Sequence, residues 1–291
     1  MRSAYATYLQ CTPERSAACQ FAWQNFRDGY SQPGLPGVIL LLLPGIIGAF
    51  VGAPVLAREL DTGTFRFTWT QGVGRMRWAL TAVVPGAVGV TLIAGAFGAL
   101  VSWHNQPLLD SGITPRLHAT VFPVTGLAAA GWALAGFALG VLAGQLWRRV
   151  LPGLATAFAA WFGLAFLAAQ VRMHYLTPLT TTSLEQSGKD FGLGQWWTKG
   201  GARVDDAQIN SVLQAVGIQQ SSGSPTAAAQ PGTGGSVDPV QYLLQHGYTQ
   251  ITSYQPDTRY WTFQWIEFGA LTALTLLLLG GAFWLLRRRP A

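Results

Sequence analysis

Few residues of this chain have the types and spacing needed for catalysis, phosphate binding or metal binding. No phosphate-binding loop of the Gly-x-x-x-x-Gly-Lys-Ser/Thr type occurs, because the Gly-Lys-Asp run at 188–190 lacks both the earlier glycine and the hydroxyl. No zinc motif arises from the spacing of the four histidines, His104, His118, His174 and His246. We therefore expect no ATP, metal or cofactor chemistry within the chain, and no nucleic acid partner.

The two cysteines, Cys11 and Cys19, both fall in the N-terminal segment 1–34. Their spacing does not resemble a zinc site. If this segment is exported, a disulfide that closes the small loop between them is the favoured interpretation, since an oxidising compartment permits it and no other cysteine competes. Two unrelated thiols are the alternative.

The composition indicates which elements must position the remaining candidates. Half of the 291 residues are hydrophobic and only 10% are charged, against roughly 25% charged in an ordinary soluble domain. Five stretches without Asp, Glu, Lys or Arg are long enough to cross a bilayer. We therefore predict an all-α, polytopic bundle of transmembrane helices at 35–57, 79–101, 119–147, 150–171 and 268–286.

The arginines predict the orientation of these spans. They are concentrated in three short segments, 58–78, 148–149 and 287–291, and are diluted elsewhere. The positive-inside rule places these segments and the C-terminus in the cytoplasm of a plasma-membrane protein. The segments predicted outside are 1–34, 102–118 and 172–267, the last with a Ser/Gly/Pro/Ala-rich mobile linker at 219–238.

The predicted exported N-terminus raises a question about the first span. Residues 1–34 contain no apolar leader that would carry them across the membrane. We therefore expect one further apolar helix, with basic residues before it, to be encoded in frame upstream of Met1.

The loop after the first span is the most informative part of the sequence. It reads ARELDTGTFRFTWTQGVGRMRW, and Arg58, Glu59 and Asp61 should open a short polar helix that continues the span and ends at Gly63. Phe65, Phe67 and Trp69 then alternate with polar residues, so that one edge can touch lipid. A membrane-surface elbow that only anchors two helices is the alternative reading.

Here the chain resembles the permeases of type-two ATP-binding-cassette (ABC) exporters, in their actinobacterial form. The resemblance spans nearly the whole chain and lies in GAPVLARELDTGTFRFTWTQG at 52–72 with the following RMRW, in GQWWTKGG at 194–201, and in HGYTQITSYQP and FQWIE within 246–267. The family usually has six spans, and this chain resembles it from the loop that follows the family's first span.

The resemblance implies a function for the cytoplasmic loop. In the family, an acidic residue followed by Gly-Thr forms a coupling helix against the ATPase, and Glu59, Asp61, Gly63 and Thr64, with Arg58 beside them, match this element. It further implies an ABC ATPase as partner, and a second permease subunit, identical or different, in the bilayer.

Two other classes of protein compete with a transporter subunit. A membrane enzyme would need titratable groups within the bilayer, and the predicted spans contain no Asp, Glu or His. Glu267 at the edge of the fifth span reads as an interfacial carboxylate that reaches water, with a proton or substrate role as the alternative. A sensor or scaffold that uses the exported loop for recognition also remains open, and a neighbouring gene for an ATPase or a histidine kinase would discriminate.

The third span contains Gly136, Gly140 and Gly144 at four-residue spacing, on one face of a helix. Such a face permits close approach of a second helix. We therefore predict a packing seam here, within the subunit or between two subunits, with an accident of the Gly-rich composition as the alternative.

The cysteine pair gives a first test. If Cys11 and Cys19 are joined, neither thiol should react with a maleimide in unreduced membranes, and both should react after reduction. Labelling of both cysteines without reductant would contradict the bridge.

Overall fold

The computed structural model of the chain describes residues 2–10, 17–30, 34–62, 74–182, 187–216 and 238–288. Five of its helices are long and apolar enough to cross a membrane, which confirms the predicted polytopic helical bundle. In chain order the elements are α1 (Arg2–Leu9), α2 (Ala17–Tyr30), α3 (Gly34–Thr62), α4 (Arg75–Asp110), α5 (Gly126–Trp147), α6 (Val150–Arg172), β1 (Leu179–Thr181), β2 (Phe191–Lys199), β3 (Ala202–Val204), α7 (Asp206–Ala215), α8 (Pro239–Gln245), β4 (Tyr248–Gln255) and α9 (Tyr260–Arg288).

The helices differ from the predicted spans mainly at one end of the bundle. Helix α4 continues to Asp110, so the first part of the predicted loop 102–118 is helical. Helix α5 begins only at Gly126, after a 3-10 turn at Phe122–Val124 and the extended Thr125, and α9 begins at Tyr260 rather than at 268. Hydropathy locates the apolar core of a span, whereas a helix continues for as long as its backbone groups find partners.

Helix α5 is the centre of the bundle. Of its most apolar window, 72% is buried, against 17% for α6 and 22% for α4 and α9. The outer helices instead carry large exposed apolar side chains, such as Phe166 on α6, Leu92 on α4 and Leu277 on α9. These side chains face the surroundings of the bundle, as lipid-contacting residues do.

The three seam glycines of α5 lie against α3. A Cβ atom at Gly136 would be 3.1 Å from the Gly45 carbonyl oxygen, and one at Gly140 would be 2.7 Å from the Ala53 nitrogen. A Cβ at Gly144 would overlap the Ala53 carbonyl oxygen. The two backbones therefore approach at a distance that side chains would prevent.

The region 172–267 contains a small folded unit that the sequence analysis treated as a loop. Four antiparallel strands form a sheet in the order β1-β4-β2-β3, and GQWWTKGG forms most of β2 and the turn to β3, where Gly200 and Gly201 have φ of 59° and 84°. A core of its own supports this unit: Trp197, Ile209, Leu213, Leu243 and Tyr248. Most of the predicted linker 219–238 lies outside the described residues, and Asp238 caps α8 through Val240 N at 2.9 Å.

The N-terminal segment forms α1 and α2, which pack through Tyr5 and Phe26 at a ring separation of 5.4 Å. Arg2 donates to the carbonyl oxygen of Trp103 at 2.8 Å, near the end of α4. Cys19 is buried, and Cys11 lies outside the described residues, so the bridge stays a prediction.

The seam can be tested by comparing two glycines. Gly140→Ala should lower the thermal midpoint of unfolding in detergent, because overpacking a close contact costs about 1–3 kcal/mol. Gly163→Ala on α6 should leave the midpoint unchanged or raise it, since nothing lies within 4 Å of the added Cβ and alanine favours helix by about 1 kcal/mol over glycine. Equal effects of the two substitutions would contradict the seam.

Candidate functional site

The chemistry-bearing residues lie at the two ends of the bundle. At one end α3, α5 and α9 finish and α4 and α6 begin, and the apolar side chains of Leu56, Trp78 and Leu286 share one buried cluster there. We call it the arginine end, because seven arginines of the described residues are exposed there: Arg58, Arg75, Arg77, Arg148, Arg149, Arg287 and Arg288. The opposite end carries the sheet, and we call it the sheet end.

The predicted coupling residues lie at the arginine end. Arg58, Glu59 and Asp61 are in the last turns of α3, which ends at Thr62. Arg58 and Asp61 are exposed and Glu59 is half-buried. Gly63 and Thr64 lie outside the described residues, as do Phe65, Phe67 and Trp69.

Glu59 connects the two helices that flank the predicted coupling loop. The Trp78 indole Nε1 donates to Glu59 Oε2 at 3.2 Å, and Trp78 is buried in the first turn of α4. The hydroxyl of Thr62 donates to the Arg58 carbonyl oxygen, one turn earlier in α3, at 2.9 Å. The end of α3 is thus hydrogen-bonded to the start of α4.

The sheet end holds a buried ion pair that the sequence analysis missed. Arg172 and Glu267 are 2% and 1% exposed, and Arg172 Nε and Nη2 donate to the two carboxylate oxygens of Glu267 at 2.8 Å each. The interpretation of Glu267 as a carboxylate that reaches water is therefore wrong. Because α9 begins at Tyr260, Glu267 is two turns inside the helix and faces the end of α6.

The other contacts of Glu267 complete its hydrogen bonding. The Trp132 indole Nε1 donates to Glu267 Oε1 at 2.7 Å, and the Trp161 indole donates to the Trp132 carbonyl oxygen at 3.3 Å. The Tyr175 hydroxyl lies 3.5 Å from Glu267 Oε2. Burial and then the charge of Glu267 raise the pKa of Tyr175 to about 12, so this phenol stays protonated and can donate.

A second buried polar group at the sheet end caps α5. Thr125 makes no side-chain cap, and the first amides of the helix instead donate to side chains of other helices. Gly126 N donates to Ser102 Oγ at 3.2 Å, and Ala128 N to Gln264 Oε1 at 2.7 Å. Helices α4 and α9 therefore fix the start of the central helix.

The aromatic residues before the predicted fifth span divide into two groups. Trp261 and Trp265 are 55% and 61% exposed, as expected for rings at a membrane interface. Tyr260 and Phe263 are buried inside the bundle, so these two rings contact protein. The helical period explains the division, because the buried pair and the exposed pair lie on different faces of α9.

The histidines give no sign of a metal site. Within the described residues, no group of three or more His, Cys, Asp or Glu side chains could hold a metal ion. His118 lies beside the Thr120 hydroxyl at 2.8 Å, and burial lowers its pKa, which favours a neutral ring near pH 7.

These features define a multi-pass helical membrane protein with polar sites at both ends of the bundle. The comparisons add its family: residues 1–172 match the family described as ABC-2 membrane transporter related, and the chain belongs to this family. It is thus a membrane, or permease, component of a transporter. The comparisons with curated proteins and with solved structures gave no match.

The buried ion pair gives a test of its own. Arg172→Met should lower the free energy of unfolding by about 3–5 kcal/mol, because it leaves the Glu267 carboxylate buried and unpaired. Adding Glu267→Gln to this variant should restore part of the loss, since the amide oxygen can still accept from Trp132. The partly exposed pair of Arg116 and Asp110, 3.6 Å apart, serves as control, with Asp110→Asn costing about 0–1 kcal/mol. A double variant no more stable than Arg172→Met would contradict the pairing.

Proposed function

We propose that this chain is the permease subunit of an ABC exporter in the plasma membrane. A separate ATPase hydrolyses ATP and docks at the arginine end, and a second permease subunit, identical or different, completes the translocation path. The substrate is moved out of the cytoplasm by rigid-body motions of the helices. The membership in the transporter family supports the permease role.

The proposed orientation rests on charge. The seven exposed arginines of the arginine end favour a cytoplasmic position by the positive-inside rule. The C-terminus, which follows α9, is then cytoplasmic, and the sheet with α1 and α2 is extracytoplasmic. The proposed Cys11–Cys19 bridge agrees with this orientation, because Arg2 of α1 contacts Trp103 at the sheet end.

The observation that carries the coupling proposal is the hydrogen bond from Trp78 to Glu59. It closes the base of the proposed coupling element, formed by Arg58, Glu59, Asp61, Gly63 and Thr64. Since both flanking helices meet at this bond, an ATPase that displaces the element would move α3 and α4 together.

The seam extends this path through the bundle. Helix α3 contacts α5 along Gly136, Gly140 and Gly144, so little side-chain material is available to absorb a displacement. At the sheet end, α5 contacts α9 through Gln264 and through the bond from Trp132 to Glu267. A movement at the arginine end therefore has a continuous packed route to the opposite end.

Two substitutions separate coupling from simple anchoring. Glu59→Gln keeps an oxygen that can accept from Trp78 but removes the charge offered to an ATPase. Trp78→Phe keeps the charge and the ring but removes the hydrogen bond. We expect both variants to insert and accumulate as wild type, and Glu59→Gln to lower the permease-dependent stimulation of ATP hydrolysis by about tenfold, since a charged contact is worth about 1.5–3 kcal/mol.

The measurement uses proteoliposomes that contain the permease and its proposed ATPase partner. Arg203→Gln, an exposed arginine of β3, is the matched control and should be silent. If the loop is only a surface elbow, Glu59→Gln should stimulate hydrolysis as wild type does. If neither the wild-type permease nor any variant changes the ATPase rate, the alternative function of a sensor or scaffold is favoured over transport.

A further inference from the structure

A cleft of about 560 Å³ opens at the sheet end between α4, the start of α5 and the start of α9. Its volume lies in the range of small-molecule sites, about 300–1,000 Å³. Most of its wall is apolar or aromatic. Its lining includes Gly95, Ala99, Trp103, Arg116, Leu127 and Trp261. The proposed coupling element makes no use of this cleft.

Arg116 is the charged residue that lines the cleft. Its nearest carboxylates are those of Asp110 at 3.6 Å and Asp257 at 3.8 Å, and both distances are too long for a hydrogen bond. Neither carboxylate lines the cleft. Within the described residues, the guanidinium therefore keeps donors that a bound anion could use.

The cleft has a polar end and an apolar end along α4. Trp103 and Trp261 at the polar end are 56% and 55% exposed, and exposed tryptophans of membrane proteins concentrate at the headgroup level. Gly95 and Ala99 lie further along α4 towards the middle of the bundle, and the lining from Gly95 to Gln106 extends over about 16 Å. This length and polarity match an amphiphile that lies parallel to the helix.

We propose that the cleft binds a lipid of the surrounding leaflet that carries an anionic phosphate headgroup. The phosphate accepts hydrogen bonds from Arg116, whose planar fork suits a phosphate, and one acyl chain lies over Gly95 and Ala99 against Leu127. A second guanidinium, that of Arg2, lies 3.9 Å from the Trp103 ring centroid and adds positive charge at the rim.

The apolar part of the cleft wall favours a lipid over a soluble anion. A free anion would use only the polar end and would leave the apolar floor empty, whereas an acyl chain fills it. Binding depends neither on an ATPase nor on the direction of export, so it is tested on the chain alone.

The experiment measures lipid binding to the full chain in a neutral detergent by native mass spectrometry. Phosphatidylglycerol and phosphatidylcholine with the same acyl chains are titrated in parallel. We expect phosphatidylglycerol to bind about tenfold more tightly, and Arg116→Gln to bring its affinity down to that of phosphatidylcholine. Arg203→Gln should leave the preference intact.

A second pair of variants tests the acyl-chain position without touching the ion pairs of Arg116. Ala99→Phe fills the apolar floor and should lower the affinity for both lipids, whereas Ala96→Phe changes an exposed residue of the same helix that does not line the cleft and should not. Equal affinity of wild type for the two lipids would overturn the proposal. Equal effects of Ala99→Phe and Ala96→Phe would also overturn it, as would displacement of phosphatidylglycerol by millimolar inorganic phosphate.

Discussion

The close approach of α3 and α5 is the constraint on which the rest of the bundle depends. Inside a bilayer, apolar side chains gain little from leaving lipid for protein, so helices associate through packing and polar contacts. Glycines on both helices allow that packing here: a Cβ at Gly48 or Gly52 of α3 would overlap the backbone of α5, as one at Gly144 would overlap α3. With α5 held in this way, α4, α6 and α9 surround it and expose their outer faces.

The polar groups of the bundle follow from the same environment. An amide or charge without water needs a partner inside the protein, and α5 has no side-chain cap of its own. Ser102 and Gln264 supply the missing acceptors, and Glu267 joins α9 to α5 and α6 through Trp132 and Arg172. These hydrogen bonds therefore fix the helices relative to one another at the sheet end.

The two ends consequently differ in character. The sheet end is held by buried hydrogen bonds and a bidentate ion pair between Arg172 and Glu267. At the arginine end the described arginines and Asp61 are exposed, and the bond between the half-buried Glu59 and Trp78 joins α3 to α4 there. An exposed basic surface beside two hydrogen-bonded helices is the kind of surface that a partner on one side of the membrane could bind.

Hydrophobicity and charge spacing determined the membrane class, the five spans and the cluster of arginines, because these depend on composition along a single segment. The polar extension of α3 through Arg58, Glu59 and Asp61 was predictable for the same reason. The sequence did not predict the sheet, since its two longer strands, β2 and β4, pair across a long separation in sequence, and its two edge strands have only three residues each. Nor did it predict that Glu267 is buried. A carboxylate near a span edge reaches water or a partner depending on what faces it, and only the packing of α6 and α9 on α5 brought Arg172 to Glu267.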